Sequence, residues 1–241
     1  MKKLICILFC LSSFFQISKA NVHDDLNHKL WNEILQENVN SSGQVNYQNI
    51  KKNIGQLDAY LEMIATHPPK ADWSKNQTMA YWINAYNAFT VKLILNHYPL
   101  KSIMEVNNGK AWDLKFITIG GKEYSLNNIE HDILRKKYKD PRIHFAVNCA
   151  SISCPKLYNK AFSADLLEKQ LNLLSKSFIN NASKNSLQKE RIKISKLFEW
   201  YKDDFTLKGS VVDFLNQYAE TPINSNAQIS YKDYNWNLNS Q

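Results

Sequence analysis

The segment MAYWINAYNAFTVKLIL, residues 79–95, is the most apolar stretch of the sequence after its first twenty residues. Drawn as a helix, it has apolar side chains on every side, so the pattern predicts a buried helix over residues 77–98 that stops before Pro99. A membrane-spanning helix is disfavoured, because Lys92 and three asparagines would lie in the hydrocarbon.

Two amides interrupt this apolar helix. At 100° per residue Asn84 and Asn87 lie about 60° apart, so they share one face. A buried amide without partners costs about 1 to 3 kcal/mol, and both side chains therefore need hydrogen-bond partners. Either they bond to neighbouring backbone, such as a loop at 149–155, or they line a polar pocket and hold a substrate carbonyl.

The first twenty residues, MKKLICILFCLSSFFQISKA, are typical of a secretory signal peptide. We expect a secreted or periplasmic protein that starts at Asn21 and has no membrane span after the signal is removed. Removal lowers the formal net charge from +8 to +5, because three lysines and no acid leave with it. The other lysines alternate with acids, which favours a solvated surface and disfavours nucleic acid as a partner.

The remaining chain predicts one helix-rich α+β domain around a small, mostly antiparallel sheet. We divide the sequence into the signal peptide (1–20), an N-terminal helical region packed on the main domain (21–75) and the main domain (76–241). Predicted elements are helices at 23–37, 47–66, 77–98, 126–138, 163–181, 195–204 and 209–219, a hairpin at 111–126, a strand at 142–148 and an extended tail at 227–239.

The predicted helix SLNNIEHDILRKKY carries an acid on its apolar face. Glu130 lies between the directions of Leu126 and Leu134, so we expect it to point inward. A buried carboxylate must be paired, hydrogen-bonded or neutral. Either it anchors the helix through a salt bridge to Arg142 or Arg135, or it belongs to an acid/base site together with the neighbouring His131.

The stretch RIHFAVNCASISCP, residues 142–155, carries the residues best suited to catalysis. Its alternation predicts a strand on which His144 and Asn148 point the same way, followed by a turn that begins at Cys149. A thiol becomes a nucleophile when a nearby base or positive charge lowers its pKa, and His144 and His131 are both available as bases.

A disulfide between Cys149 and Cys154 is the alternative for the same turn. These two are the only cysteines left after signal removal, in a compartment that we expect to be oxidising. A loop this small gives only about 2 kcal/mol, so the bond would shape the turn more than stabilise the fold. A reversible bond that masks a reactive thiol combines both interpretations.

Metal and cofactor chemistry find little support. His131, His144, Cys149 and Cys154 offer suitable atoms, but the sequence has no CxxC or HExxH pair, so we expect no metal. It also has no phosphate-binding glycine loop and no GxSxG elbow, and we expect no cofactor.

Five motifs in order, YWINAYNA, SLNNIEHDILR, RIHFAVNCASISCP, FEWYKDDF and YNWNLN, resemble the family called domain of unknown function 547. The resemblance runs from about Asn76 to Asn239 and implies no established reaction. Ala150 stands where that family often has glycine, which makes a left-handed backbone there less expected. Asn235 and Asn237 replace an aspartate and a serine. The resemblance singles out Asn84, Asn87, Glu130, His131, Arg142, His144, Cys149, Ser153, Cys154 and Pro155.

Two hypotheses follow. In a thiol-dependent hydrolase or acyl transferase, Cys149 attacks, His144 or His131 accepts its proton, and Glu130 orients that histidine. Substrate would then be bound by Asn84, Asn87, Arg142 and Ser153.

In a non-catalytic envelope binding module, the two cysteines form a disulfide and a groove bordered by Trp82, Trp200 and Trp236 binds a peptide or glycan. The ligand is an unknown small molecule, peptide or glycan in either case.

Overall fold

The computed structural model describes residues 28–241. The predicted signal peptide, residues 1–20, and the start of the helix predicted from residue 23 lie outside the described residues. Within residues 28–241 no helix is both long enough and apolar enough to cross a membrane. Helices dominate and the strands form two small sheets, which confirms the predicted helix-rich α+β class.

The helices follow the predicted order closely, with some breaks. The α-helices are α1 (Lys29–Asn38), α2 (Tyr47–Lys52), α3 (Ile54–Thr66), α4 (Lys75–His97), α5 (Leu167–Ile179), α6 (Leu197–Trp200), α7 (Lys202–Phe205) and α8 (Val211–Asn216). Helices of other pitch are the 3₁₀-helices Ile103–Gly109, Ala111–Asp113 and Pro141–Phe145 and the π-helix Asn128–Tyr138.

Helix α4 forms the centre of the core. Its start is fixed by a capping box, in which Ser74 Oγ accepts the Gln77 backbone N–H and the Gln77 side chain accepts the Ser74 N–H. Every residue from 79 to 91 is buried, which confirms the prediction from its apolar pattern. Helix α3 and the π-helix both pack against it.

Two small sheets add buried side chains to this core, Ile117 and Ile119 from one and Ile192 and Ile194 from the other. Strands β1 (Ile117–Ile119) and β2 (Lys122–Tyr124) form the predicted antiparallel hairpin. Gly120 and Gly121 both have positive φ, 57° and 74°, as a tight two-residue hairpin turn requires. A second sheet, which the sequence did not predict as a unit, joins β3 (Ser186–Leu187), β4 (Arg191–Ile194) and β5 (Gln228–Tyr231), with an antiparallel and a parallel pairing.

The prediction of a strand at 142–148 is wrong. Residues Pro141–Phe145 form a 3₁₀-helix, and all six side chains from 143 to 148 are buried. Asp140 caps this helix by accepting the Arg142 N–H, and Pro141 occupies its first turn. An acidic cap followed by proline favours a helix start, and this local signal outweighed the short alternation.

Two predicted helices are each split in two. The helix predicted at 47–66 breaks at Asn53, which ends α2 and precedes α3. The helix predicted at 195–204 breaks at Tyr201, between α6 and α7. Asparagine and aromatic residues are weaker helix formers than alanine or leucine, so both breaks fall where propensity is low. The second break turns Tyr201 and Asp204 toward the 3₁₀-helix Pro141–Phe145.

The chain after β5 is extended, in agreement with the sequence prediction, and runs along the turn at 149–155. The Ile152 N–H donates to the Asn237 carbonyl at 2.8 Å, and the Asn239 N–H donates to the Ala150 carbonyl at 3.1 Å. The Asn235 N–H donates to Ser153 Oγ at 2.8 Å. This segment therefore covers the turn that carries both cysteines.

Candidate functional site

A cavity of about 190 Å³ lies between the π-helix, the turn at 149–155 and the segments that carry the last two sequence motifs. At about 30 Å³ per water, this is room for roughly six water molecules or one small substituent. It is lined by Tyr86, Trp112, Asn127, Glu130, His144, Val147, Cys149, Cys154, Pro155, Leu197, Trp200, Tyr201, Tyr234 and Trp236. We call it the thiol cavity.

The turn that holds Cys149 is built by buried amides. Asn148 Oδ1 accepts the Ala150 N–H at 2.9 Å, and Asn148 Nδ2 donates to the Pro155 carbonyl at 2.7 Å. Asn87 fixes the start of the turn, since its side chain accepts the Asn148 N–H and donates to the Ala146 carbonyl, both at 2.9 Å. Cys149 is thus held between two backbone segments that are each pinned to the core.

Ala150 adopts a left-handed backbone with φ of 59° and is fully buried. The expectation that alanine disfavours this conformation was therefore wrong. The left-handed region costs an L-residue about 1–2 kcal/mol, which the surrounding bonds of Asn148 and Asn239 offset. Strain of this kind is often found next to functional groups, here directly after Cys149.

The Cys149 thiol is partly buried and surrounded by hydrogen-bond donors. Its Sγ lies 3.2 Å from the Tyr234 hydroxyl and 3.3 Å from Ser151 Oγ. Burial alone raises the pKa of Cys149, but hydrogen bonds from Cys154, Ser151 and Tyr234 outweigh it and lower the pKa to about 7. Cys149 is therefore substantially a thiolate at neutral pH, the form that acts as a nucleophile.

Cys154 is the second thiol of the turn, and both cysteines are free. The disulfide weighed from the sequence is not formed; instead the Cys149 N–H donates to Cys154 Sγ at 2.9 Å. Burial, together with its interaction with Cys149, raises the pKa of Cys154 well above the ordinary value. The pKa values of the two thiols are thus shifted in opposite directions, and Cys149 has the lower one.

His144 is 1 % exposed and is oriented by a carboxylate. Its Nε2 lies 2.6 Å from Asp204 Oδ2, and its ring stacks on Tyr201 with the ring centres 3.9 Å apart. Since a carboxylate only accepts, the proton of the neutral ring is assigned to Nε2, and Nδ1 carries the lone pair. That Nδ1 is buried and has no hydrogen-bond partner among residues 28–241.

Asp204 supports His144 from the side away from the thiol. Its carboxylate also accepts from Arg135 Nε at 2.6 Å and from Arg135 Nη2 at 3.1 Å. Burial alone raises the pKa of Asp204, but hydrogen bonds from His144 and Arg135 outweigh it and hold that pKa well below the usual range. Asp204 is therefore a permanent anion that fixes the imidazole.

Glu130 points inward as predicted and is 4 % exposed. Its Oε1 lies 3.9 Å from His144 Nδ1, and the proximity of its carboxylate, after burial, raises the pKa of Tyr201. The predicted salt bridges to Arg135 or Arg142 are not formed, because those guanidinium groups pair with other carboxylates. Glu130 is a buried acid that faces the thiol cavity.

His131, the other candidate base, lies elsewhere. Its Nδ1 is 2.8 Å from Arg135 Nη1, and it is not among the residues that line the thiol cavity. No hydrogen bond joins Cys149 Sγ to an imidazole within the described part of the chain; its partners are hydroxyl groups and the other thiol. Of the two histidines, only His144 shares a cavity with Cys149.

The residues predicted to bind substrate lie outside the thiol cavity. Asn84 donates to and accepts from the Phe162 backbone at 2.8 and 2.9 Å, and Asn87 holds the turn as described above. Arg142 pairs with Asp140 and Glu168. Ser153 accepts from the backbone of the covering segment. Asn87 and Ser153 therefore stabilise the turn at 149–155, and both asparagines bond to backbone.

The aromatic residues divide between core and cavity. Trp82 is buried in the core against Tyr81 and Tyr124 and does not reach the thiol cavity. Trp200 and Trp236 do line it, stacked with their ring centres 5.8 Å apart, and Trp112 packs edge-on against Trp236. The predicted aromatic border therefore exists without Trp82.

Sequence reasoning missed Asp204, Tyr201, Tyr234 and Ser151. The first three lie in FEWYKDDF and YNWNLN, two of the motifs that carried the family resemblance. A search for acids and hydroxyl groups within those motifs would have found them. Between residues 28 and 241 no three side chains of His, Cys, Asp or Glu lie close enough together to hold a metal ion.

The fold and site define a helix-rich α+β protein with a low-pKa thiol, a buried imidazole and a carboxylate in one cavity. Residues 70–179 match the family described as "Protein of unknown function, DUF547", in agreement with the resemblance of the motifs. Glu130, His144 and Cys149 lie inside the matched segment, whereas Asp204 and Tyr234 follow it. No curated protein and no solved structure matches the chain significantly.

Proposed function

We propose that this protein is a cysteine-dependent acyl-transfer enzyme, a hydrolase or acyl transferase, with Cys149 as nucleophile and His144 as base. One observation carries the proposal: a thiol with a pKa of about 7 and a buried imidazole nitrogen without a partner share a cavity. Perturbed titratable groups that converge in a cleft are typical of catalytic sites.

In the proposed reaction His144 Nδ1 accepts the Cys149 proton, directly or through one water, when substrate occupies the cavity. The sulfur forms a bond to the substrate carbonyl carbon, the bond from that carbon to its amine or alcohol breaks, and His144 returns the proton to this leaving group. Water, or a second amine, then loses a proton to His144 and attacks the thioester. The carbon–sulfur bond breaks, and the proton returns to the sulfur.

Each supporting residue has a role that follows from its contacts. Asp204 holds the Nε2 side of His144 and stabilises the imidazolium that forms. Tyr234 and Ser151 stabilise the thiolate through their hydroxyl groups. Glu130, which lies 3.9 Å from Nδ1, adds a second negative charge beside the imidazolium.

Acylation by an activated ester tests the proposal. Purified protein is incubated with p-nitrophenyl acetate, and the acetylated residue is mapped by mass spectrometry. We expect acetylation at Cys149, none at Cys154, and none in Cys149→Ser. Loss of a general base typically costs about 10²- to 10⁴-fold, so His144→Gln should slow acylation on that scale, while the matched variant His131→Gln keeps the rate. Equal rates in the two histidine variants would contradict the assignment.

A non-catalytic binding module is the second candidate, favoured by the stacked aromatic side chains at the cavity. It predicts ligand binding without any acyl intermediate, and the same ester experiment separates the two candidates. The proposed location, secreted or periplasmic, rests on the N-terminal sequence alone. Fractionation of cells that express the full chain, followed by N-terminal sequencing for a start at Asn21, tests it.

A further inference from the structure

The thiol cavity has an aromatic wall opposite its acid. Tyr234 packs between two indoles, with ring centres 4.7 Å from Trp200 and 4.4 Å from Trp236, and Trp112 extends the wall. Trp200 is 45 % exposed, so the wall continues to the protein surface. The faces of aromatic rings are electronegative and attract cations, more strongly where water is excluded.

The charges that line the cavity are unbalanced. With the proton on sulfur or on the imidazole, the pair of Cys149 and His144 has a net charge of zero, and with a thiolate beside a neutral imidazole the pair is negative. The Asp204 carboxylate is matched by Arg135, with which it forms two hydrogen bonds. Glu130 is the acidic side chain of the lining, and no lysine or arginine is among the described residues that line the cavity.

Glu130 is also held in place without being neutralised. It is 4 % exposed, and the arginines nearest to it in sequence pair with Asp204, Asp140 and Glu168. In the structure its Oε1 lies 3.9 Å from His144 Nδ1, and its carboxylate has a hydrogen bond with the Tyr201 side chain. Arg135, which pairs with Asp204, interacts with it electrostatically but does not form a salt bridge with it. A buried carboxylate keeps its charge most readily when a positive partner is present, so a positive group is missing from this cavity.

The geometry points to a cation subsite: Glu130 and the aromatic wall of Trp112, Trp200 and Trp236 bind an ammonium group of the substrate beside Cys149. The substrate class is an acyl compound or peptide with a primary amine near the reacting carbonyl. A cavity of about 190 Å³ fits one such substituent and not a whole peptide, so the rest of the substrate lies outside it. This inference rests on the proposed function for the identity of the reacting carbonyl, but the binding of the cation does not.

Binding of matched small probes to Cys149→Ser tests the subsite without any thiol chemistry. The probes are n-butylammonium, n-butanol and butyrate, at neutral pH and constant ionic strength, with quenching of tryptophan fluorescence as the readout. We expect n-butylammonium to bind at least about tenfold more tightly than n-butanol, and butyrate to bind more weakly than both. Equal affinities for the amine and the alcohol would overturn the inference.

Two further variants show which side chain causes the preference for n-butylammonium. Glu130→Gln, made in the Cys149→Ser background, should reduce the preference for the amine to less than about threefold, while n-butanol binds as before. Glu199→Gln, an exposed acid beside Trp200 that pairs with Lys196, is the matched control and should keep the full preference. A preference that survives Glu130→Gln would place the cation elsewhere and overturn the assignment.

The probes also separate the neighbouring possibilities. If N-acetylglucosamine binds more tightly than n-butylammonium, the aromatic wall is a sugar platform and the cation subsite is wrong. If the amine preference is found but the ester never acylates Cys149, the subsite stands and the acyl-transfer proposal fails. Because the comparison of three probes needs no change at Glu130, it remains decisive even if Glu130→Gln fails to fold.

Discussion

His144 Nε2 lies 2.6 Å from Asp204 Oδ2, and this contact connects the segment that carries Cys149 to a helix about sixty residues further along the chain. It sets the tautomer of the imidazole and leaves Nδ1 without a hydrogen-bond partner among residues 28–241. Replacing Asp204 by asparagine should release the ring and leave Arg135 without its carboxylate. We expect a loss of about 1–3 kcal/mol in the free energy of unfolding at pH 7, measured by urea denaturation.

The same variant has a defined pH dependence. The pKa of Asp204 is lowered in the folded protein, so its stabilisation is complete above the ordinary aspartate pKa of about 3.9 and is lost as the pH falls through the lower folded value. The difference in stability between the native protein and Asp204→Asn should therefore narrow below about pH 4. Asp203 is the exposed neighbour, and Asp203→Asn should have the same free energy of unfolding as the native protein both at pH 7 and below about pH 4. A loss of stability equal to that of Asp204→Asn would contradict the assignment.

Removal of the Tyr234 hydroxyl should raise the pKa of Cys149. A hydrogen bond worth at least about 1 kcal/mol to the thiolate corresponds to at least about 0.7 in pKa. Starting from a pKa of about 7, Tyr234→Phe should therefore lower the rate of iodoacetamide alkylation at pH 7 by at least about threefold. The rate at a pH well above the pKa should be unchanged. Tyr231→Phe, whose ring is outside the thiol cavity, is the control, and equal effects of both variants would count against a thiolate bound by Tyr234.

Glycine at two buried alanines of one segment should have opposite consequences. Ala146 has φ of −103°, so Ala146→Gly loses about 0.8 kcal/mol from the buried methyl and a further 0.5–1 kcal/mol from chain entropy. Ala150→Gly has the same two losses, but Ala150 has φ of 59°, so release of strain offsets them by about 1–2 kcal/mol. Its free energy of unfolding should therefore remain within about 1 kcal/mol of that of the native protein. Thermal and urea denaturation of both variants measures the difference. If Ala150→Gly were the more destabilised of the two, the left-handed conformation would be refuted.

Asn84→Ala should separate stability from reactivity. It leaves the buried N–H and carbonyl of Phe162 without partners, which should cost about 2–4 kcal/mol. Because Asn84 does not line the thiol cavity, the rate of Cys149 alkylation at pH 7 should change by less than about twofold in the folded variant. Thr90→Ala, a buried polar residue on the same helix bonded only within that helix, provides the comparison. A large fall in alkylation with unchanged stability would instead restore the substrate-binding role predicted for Asn84.

The sequence predicted best those features that depend on local periodicity. The all-round apolar pattern of residues 79–95 required burial, and the position of Glu130 on the apolar arc required that it point inward; both hold. The π-helix turns differently from an α-helix, but it begins only at Asn128, two residues before Glu130, and Glu130 stays on the buried side. The break at Tyr201 falls where helix propensity is low, but the stacking of Tyr201 on His144 that accompanies it is a tertiary contact that periodicity does not show.

Sequence reasoning brought Cys149 and His144 into one site, but it did not find the residues that contact them. His144 and Cys149 are close in sequence, so local reasoning placed them together even though the strand assumed between them is a 3₁₀-helix. Asp204 and Tyr234 reach the site through contacts that span 60 and 85 residues of chain. No periodicity links positions so far apart, and only the order of the motifs connected them.

Tyr234, whose hydroxyl helps to lower the pKa of Cys149, lies 85 residues after it in the chain. While the chain is being synthesised, Cys149 leaves the ribosome long before Tyr234, and until residues 234–239 dock along the turn the thiol lacks the hydroxyl that lowers its pKa. A nascent or unfolded chain therefore carries an ordinary cysteine. The environment that lowers the pKa of Cys149 is therefore complete only after the C-terminal segment has folded onto the turn.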